Sequence, residues 1–161
     1  MRRMILPLML LVVAACQPAA MELTDAEKAD IAEEFREFRT GLYAANERLD
    51  IEQTLAAIAE DVALIIQGTR LSHDQFAPAA RAAFGALENL SVEVQEMQVD
   101  VLAANVVVNT DVITDVQTDT AGVTTEQTYL HTEVWTKRDG RWMMTHGQQS
   151  IPPGVAQSGT N

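Results

Sequence analysis

Thr132-Glu133-Val134-Trp135-Thr136-Lys137-Arg138-Asp139-Gly140-Arg141-Trp142 is the stretch from which the fold can be read. Asp139-Gly140 offers two consecutive residues that tolerate left-handed backbone, the requirement of a tight hairpin turn. The residues on either side alternate in polarity, so the spacing predicts paired strands over 124–137 and 141–150. Upstream, 106–117 alternates as well. Val108, Thr110, Val112, Thr114 and Val116 share one face, and Asn109, Asp111, Asp115 and Gln117 mostly fill the other. Residues 118–122 form the turn between them. From Leu90 the period is two through Val92 and Val94; the phase then slips, and Met97, Val99 and Val101 continue. Such a slip predicts a β-bulge near Gln95-Glu96 that bends the strand.

Before the strands, the period is that of helices. Thr24-Asp25-Ala26-Glu27, Asp50-Ile51-Glu52-Gln53 and Ser72-His73-Asp74-Gln75 each place a capping acceptor three residues ahead of Glu or Gln, a helix-start signature. Ile31, Phe35, Phe38, Leu42, Ala45 and Leu49 then recur at steps of four and three, one apolar stripe along a helix of roughly 24 residues. Glu27, Asp30, Glu33, Glu34 and Glu37 read as its solvated face. A short second helix carries Ile51, Leu55 and Ile58 and leads into an apolar strand over 62–66. A third covers about residues 74–87, with Pro78 in its first turn. Three helices with a short first strand and a four-stranded antiparallel meander make an α+β domain, helices on one face of a curved sheet.

With this order of elements, the chain resembles the nuclear transport factor 2-like superfamily, the SnoaL-like and ketosteroid-isomerase-like domains. The hairpin motif matches the family's T-x-V-W-x-K-x-D-G-x-W pattern, and Asp50 and Ala59-Glu60-Asp61-Val62 agree with it too. The resemblance implies a cone, with the sheet curled around a pocket and the long helix across it, and a homodimer through the outer sheet face. In ketosteroid-isomerase-like members the pocket holds a Tyr on the first helix and an Asp at the end of the first strand. The matching positions here are Leu42 and Ile66, and Tyr43 is about 100° further around the helix. That acid and base are therefore missing.

On the last strand Trp142, Met144, His146, Gln148 and Ser150 share one parity, and Thr110 and Thr132 are read as facing the same interior. Leu42, Ile66, Thr110, Thr132, Trp142, Met144, His146 and Gln148 thus form the expected pocket wall, mostly apolar and suited to a small ligand. The reading is binding of a small, mainly apolar molecule without catalysis. The alternatives are a SnoaL-like isomerase, cyclase or hydrolase using His146, and a dimerising interaction module. His131, Asp111 and Asp115 fall on the outer face, where Tyr129 and Trp135 mark a partner surface. His131 and His146 lie on opposite faces, so no metal site is expected, and no cofactor is implied.

The chain has 161 residues with 11 Lys and Arg against 23 Asp and Glu, a formal charge of −12. A domain this acidic cannot neutralise phosphates, which excludes nucleic-acid binding. Arg2 and Arg3 precede an apolar run over 4–13 that is shorter than the ~20 residues of a membrane span, the pattern of a cleavable signal over 1–15. Val13-Ala14-Ala15-Cys16 resembles the lipobox of bacterial lipoproteins, which implies lipidation of the single cysteine, Cys16, with acyl chains such as palmitate. Removal of Arg2 and Arg3 leaves nine basic residues (11 − 2) and a charge of 9 − 23 = −14. Gln17 after the cysteine implies the periplasmic face of a Gram-negative outer membrane. Residues 16–22 are then the lipidated cysteine and tether, 23–150 the domain and 151–161 a flexible tail with no core-forming pattern.

Overall fold

The computed structural model describes residues 22–152 and strand residues 158–160. The signal over 1–15 and Cys16 lie outside the described residues. The element order is α1 (Asp25–Glu47), α2 (Ile51–Leu55), β1 (Ile58–Ile66), β2 (Thr69–Leu71), α3 (His73–Gly85), β3 (Leu87–Ala103), β4 (Val106–Asp119), β5 (Thr124–Arg138), β6 (Arg141–Ser150) and β7 (Ser158–Thr160). Helix α1 starts in a reciprocal cap. The Glu27 N–H donates to Thr24 Oγ1 at 3.3 Å and the Thr24 N–H to Glu27 Oε2 at 2.8 Å, satisfying donors that the first turn leaves unpaired. At α3 the Gln75 side chain accepts from the Ser72 N–H at 3.0 Å. Asp50 makes no side-chain cap on α2, and that helix lasts five residues.

The sheet runs in the order β2-β1-β6-β5-β4-β3. Strands β3 to β6 form the antiparallel meander, with Asp139 (φ 51°) and Gly140 (φ 76°) both left-handed at its last turn, the geometry that matches strand twist. Strand β1 joins β6 in parallel, so the sheet is mixed. It starts at Ile58, four residues before the apolar run, because Ile58 already pairs with Met144. Strand β2, too short for periodicity to detect, folds back on β1 from Leu71 to Thr69. In the segment expected as a tail, β7 pairs with Thr124–Glu126 of β5.

The bulge in β3 falls between Val94 and Glu96, where the phase slip placed it. It keeps Leu90, Val92 and Val94 on the same side as Met97, Val99 and Val101, and Val99 and Val101 pack on the core. A bulge in β6 was not foreseen. Trp135 opposes Met144 but Val134 opposes His146, so Thr145 is an extra residue and the inward parity of β6 passes from Met144 to Gly147.

Helix α1 crosses the concave face, and Phe35, Trp135 and Trp142 fill the core beneath it. The Phe35 ring centre lies 5.7 Å from that of Trp135 and 5.4 Å from that of Trp142, both edge-to-face; Phe38 meets Trp135 at 5.5 Å. Trp135 is 0% exposed and cannot be the partner surface that the parity reading made of it. The reading put the polar side of β4 and β5 outside, on the rule that charge faces water. Here the polar side faces in.

Gly147 permits the switch on β6. A Cβ there would lie 2.7 Å from Met144 Sδ and 3.0 Å from Leu64 Cδ2, so Gly147→Ala must displace the thioether. Overpacking of this kind costs about 1–3 kcal/mol, to be read as a lowered midpoint in urea unfolding; an unchanged midpoint would show that Met144 moves freely.

Candidate functional site

Phe35, Arg39 and Tyr43 follow one another at steps of four along α1 and are all buried. Phe35 packs on the tryptophans, and the next two side chains lie over the inward face of β4 and β5. There Asn109 and Asp111 of β4 and His131 and Glu133 of β5 share the concave side, and Asn109, Asp111 and Glu133 are buried. A buried charge needs partners, and each has them. Asp111 Oδ1 is 2.8 Å from His131 Nδ1. Its Oδ2 accepts from the Tyr43 hydroxyl at 2.5 Å, Asn109 Nδ2 at 2.6 Å and Arg39 Nη2 at 3.5 Å. Arg39 Nη2 also donates to Glu133 Oε1 at 2.9 Å, while Glu133 Oε2 accepts from Trp135 Nε1 at 2.8 Å. The guanidinium stacks 4.4 Å from the centre of the Tyr43 ring, a favourable cation–π placement.

These contacts decide the protonation states. Burial pushes the Asp111 carboxyl up, but the His131 hydrogen bond, the Arg39 charge and the Tyr43 hydroxyl together bring it down to about 2. An ionised carboxylate only accepts, so whenever the His131 ring is neutral Nδ1 carries the hydrogen and Nε2 is left with the lone pair. Burial raises the Tyr43 phenol despite Arg39, so it remains a donor. Four residues along β4 from Asp111, past Ile113, Asp115 is raised by burial to about 6, in spite of His131 and a hydrogen bond with Gln117.

The two aspartates give opposite pH dependences. Asp111, depressed on folding, adds stability above about pH 4 that is lost as pH falls toward its folded value; the shift is worth about 2 kcal/mol. Asp115, raised on folding, favours the folded state below about pH 4 and loses that contribution as pH rises through about 6. Asp115→Asn should therefore remove a gain in stability on acidification from about pH 6 to 4, on the order of 2 kcal/mol. Urea unfolding across that range checks this, and identical profiles for the two proteins would contradict it.

Beside the cluster opens a cavity of about 320 Å³. Arg39, Tyr43, Asp115, Tyr129, His131 and Glu133 form its polar side, and Ile58, Leu64, Ile66, Phe76, Phe84, Ile113 and Met144 its apolar side. This is the size and mixture of a small-molecule site. Among the described residues, no three His, Cys, Asp or Glu side chains are grouped so as to hold a metal ion, and no helix is long and apolar enough to cross a membrane.

A cone of this topology with a half-polar hollow is the arrangement of a known family, whose model matches residues 36–154 as a SnoaL-like domain. The chain belongs to the SnoaL-like domain family. Solved structures of the same fold include a nuclear transport factor 2-like superfamily protein from Salmonella enterica serovar Typhimurium, 15% identical with a TM-score of 0.69 over 80% of this chain and 95% of that one. A candidate scytalone dehydratase from Novosphingobium aromaticivorans is 12% identical, with a TM-score of 0.68 over 83% and 88%. A candidate dehydratase from Streptomyces avermitilis is 17% identical, with a TM-score of 0.68 over 77% and 97%. No curated protein matches the chain significantly.

Within this SnoaL-like domain the expected pocket wall is divided. Ile66, Met144 and Gln148 line the cavity. Leu42 and Trp142 are buried in the core beside Phe35 and Trp135. Thr110 and Thr132 pair with each other on the convex side of β4 and β5, Thr132 being exposed. His146 is exposed and opposes Val134. The inverted parity of β4 and β5 accounts for the threonines, and the Thr145 bulge for His146. Tyr129, assigned to a partner surface, is half-buried, lines the cavity and stacks on His131 with ring centres 6.1 Å apart. His131 and His146 do lie on opposite faces. The site that sequence reasoning missed is the set Arg39, Tyr43, Asp111, Asp115, His131 and Glu133. Its signal was present: Arg39 and Tyr43 extend the stripe begun by Phe35, and His131, Glu133 and Trp135 share a parity with a tryptophan too large to leave in water.

Proposed function

We propose that this SnoaL-like domain is an acid–base enzyme acting on a small, mainly apolar molecule, with His131 as the base and Asp111 as the residue that orients it. The observation that carries this reading is the 2.8 Å contact between His131 Nδ1 and Asp111 Oδ1 at the wall of the cavity. A base oriented by a carboxylate beside a hollow that admits a ligand is what proton abstraction next to a carbonyl requires. The expectation of binding without catalysis rested on the lack of an acid and a base at Leu42 and Ile66; the His131–Asp111 pair removes that ground. In the proposed step Nε2 takes a proton from carbon, and the C–H electron pair becomes a C=C bond. That C=C bond is first the one of an enolate; its electrons then move to form the C=C bond to the next carbon as the C–O bond there breaks, and the hydroxyl leaves as water, taking the proton back from the imidazolium. Two proteins of the same fold bear dehydratase names, which supports this class of reaction without fixing a substrate.

Small β-hydroxy ketones incubated with the protein in D₂O test the reading. Deuterium incorporation at the carbon next to the carbonyl, or appearance of the unsaturated ketone, is expected by NMR. Rates no higher than those of buffer across the panel would favour binding alone.

We further propose that the chain is anchored through lipidated Cys16 to the periplasmic face of an outer membrane, on the support of the signal-like run and Val13-Ala14-Ala15-Cys16. Labelled palmitate should be incorporated by the natural chain and not by Cys16→Ala; equal labelling would refute the assignment.

A further inference from the structure

The polar side of the cavity is acidic. Arg39 is the one arginine or lysine among the described residues that line it, and its charge is already shared. Its Nη2 serves both Glu133 and Asp111, so one positive charge faces two negative ones before Asp115 is counted. Asp115 lines the hollow together with Glu133, and its Oδ1 is buried with no hydrogen-bond partner among the described residues. Arg39 is 4% exposed, and its Nε also lacks a hydrogen-bond partner among the described residues. A buried polar atom without a partner is costly to the fold. His131 and a hydrogen bond with Gln117, on its own strand, favour the Asp115 carboxylate, but burial outweighs both. A carboxylate kept at this cost beside a ligand-sized hollow fits a group completed by the ligand.

We propose that Asp115 selects the substrate, accepting a hydrogen bond from a hydroxyl or amino group, and that the cavity takes neutral or cationic molecules and rejects carboxylates and phosphates. The inference rests on the reading of this cavity as the substrate site, and it adds the polarity of that substrate. An anion would enter a hollow whose one arginine among the described lining residues already faces two carboxylates, with Asp115 beside them. A donor group would satisfy Asp115 Oδ1 and cost the site nothing. The groups that share the electrostatics of Asp115 are Tyr129, His131 and Glu133 from β5, Arg39 and Tyr43 from α1, and Asp111 and Gln117 from its own strand.

Three phenyl-substituted probes of similar size and different charge test this on the full chain: 2-phenylethylamine, 2-phenylethanol and phenylacetate. Dissociation constants come from amide chemical-shift titrations near neutral pH. The amine and the alcohol should bind about tenfold more tightly than the acid, or better. Asp115→Asn, which keeps the size and removes the charge, should narrow the amine-over-acid ratio by about fivefold or more, as should acidification below the Asp115 titration. The variant separates the local carboxylate from the general acidity of the chain, which it barely changes. Equal binding of the acid and the amine, a ratio unchanged in Asp115→Asn, or no binding of any probe would each overturn the inference. Deuterium exchange by the natural protein with a flat probe ratio would sink this inference alone. Clear probe discrimination without exchange would sink the catalytic reading alone.

Discussion

Arg39→Leu is expected to lower the free energy of unfolding by about 3–5 kcal/mol, the cost of leaving buried charges without their partner. The leucine replaces the apolar part of the side chain, so lost packing contributes little. What is lost is the cation between Asp111 and Glu133, two carboxylates that are 0% and 5% exposed. Arg39 itself is held protonated: burial works against its charge, but Glu133, Tyr43 and Asp111 raise its pKa further still. If stranded charge is the cause, Arg39→Leu combined with Glu133→Gln should recover part of the loss, since one stranded charge is then removed. Urea unfolding of the two variants and the natural chain checks both statements. A cost below about 1 kcal/mol for Arg39→Leu would mean that water reaches the cluster and screens it.

The largest effect on activity belongs to His131. His131→Ala should slow deuterium incorporation by about 10²–10⁴-fold, the usual contribution of a positioned general base. Alanine also leaves Asp111 Oδ1 without its donor, so His131→Gln is the cleaner variant: an amide can still donate to the carboxylate but cannot take a proton from carbon. The glutamine variant should keep most of the folding stability and show the same loss of rate. Asp111→Asn should slow the reaction less than removal of the base, with a change in the tautomer of His131, a spectroscopic signature that a purely structural role would not produce. Wild-type rates in His131→Gln would assign the chemistry elsewhere.

The architecture was written in short-range patterns. The Asp139-Gly140 turn, the reciprocal cap at Thr24 and Glu27, and the phase slip before Met97 each have a local cause, and each appears in the structure where its cause lies. The parallel pairing of β1 with β6 has no local signature, because the registering residues, such as Ile58 and Met144, are far apart in the chain. The site was hidden for another reason. Alternation along β4 and β5 separates two faces but does not say which one is covered. The rule that polar residues face water chose wrongly, because α1 brings Arg39 and Tyr43 over Asp111 and Glu133. A network of charges paired with one another inside the fold reads in sequence like an ordinary solvated face. Trp135 was the discordant residue: its face had to be buried, and His131, Glu133, Asp111 and Asn109 went with it. On β6 a single extra residue, Thr145, sent His146 outward.

Nitrogen-15 NMR of the His131 ring tests the central claim most directly, since the two ring nitrogens of a neutral imidazole differ according to which one carries the hydrogen. With the ring neutral, the hydrogen should reside on Nδ1 toward Asp111, with Nε2 unprotonated, and Asp111→Asn should disturb this arrangement. A neutral ring protonated at Nε2 in the natural protein would contradict the claim, because the atom assigned as the base would then have no lone pair to use.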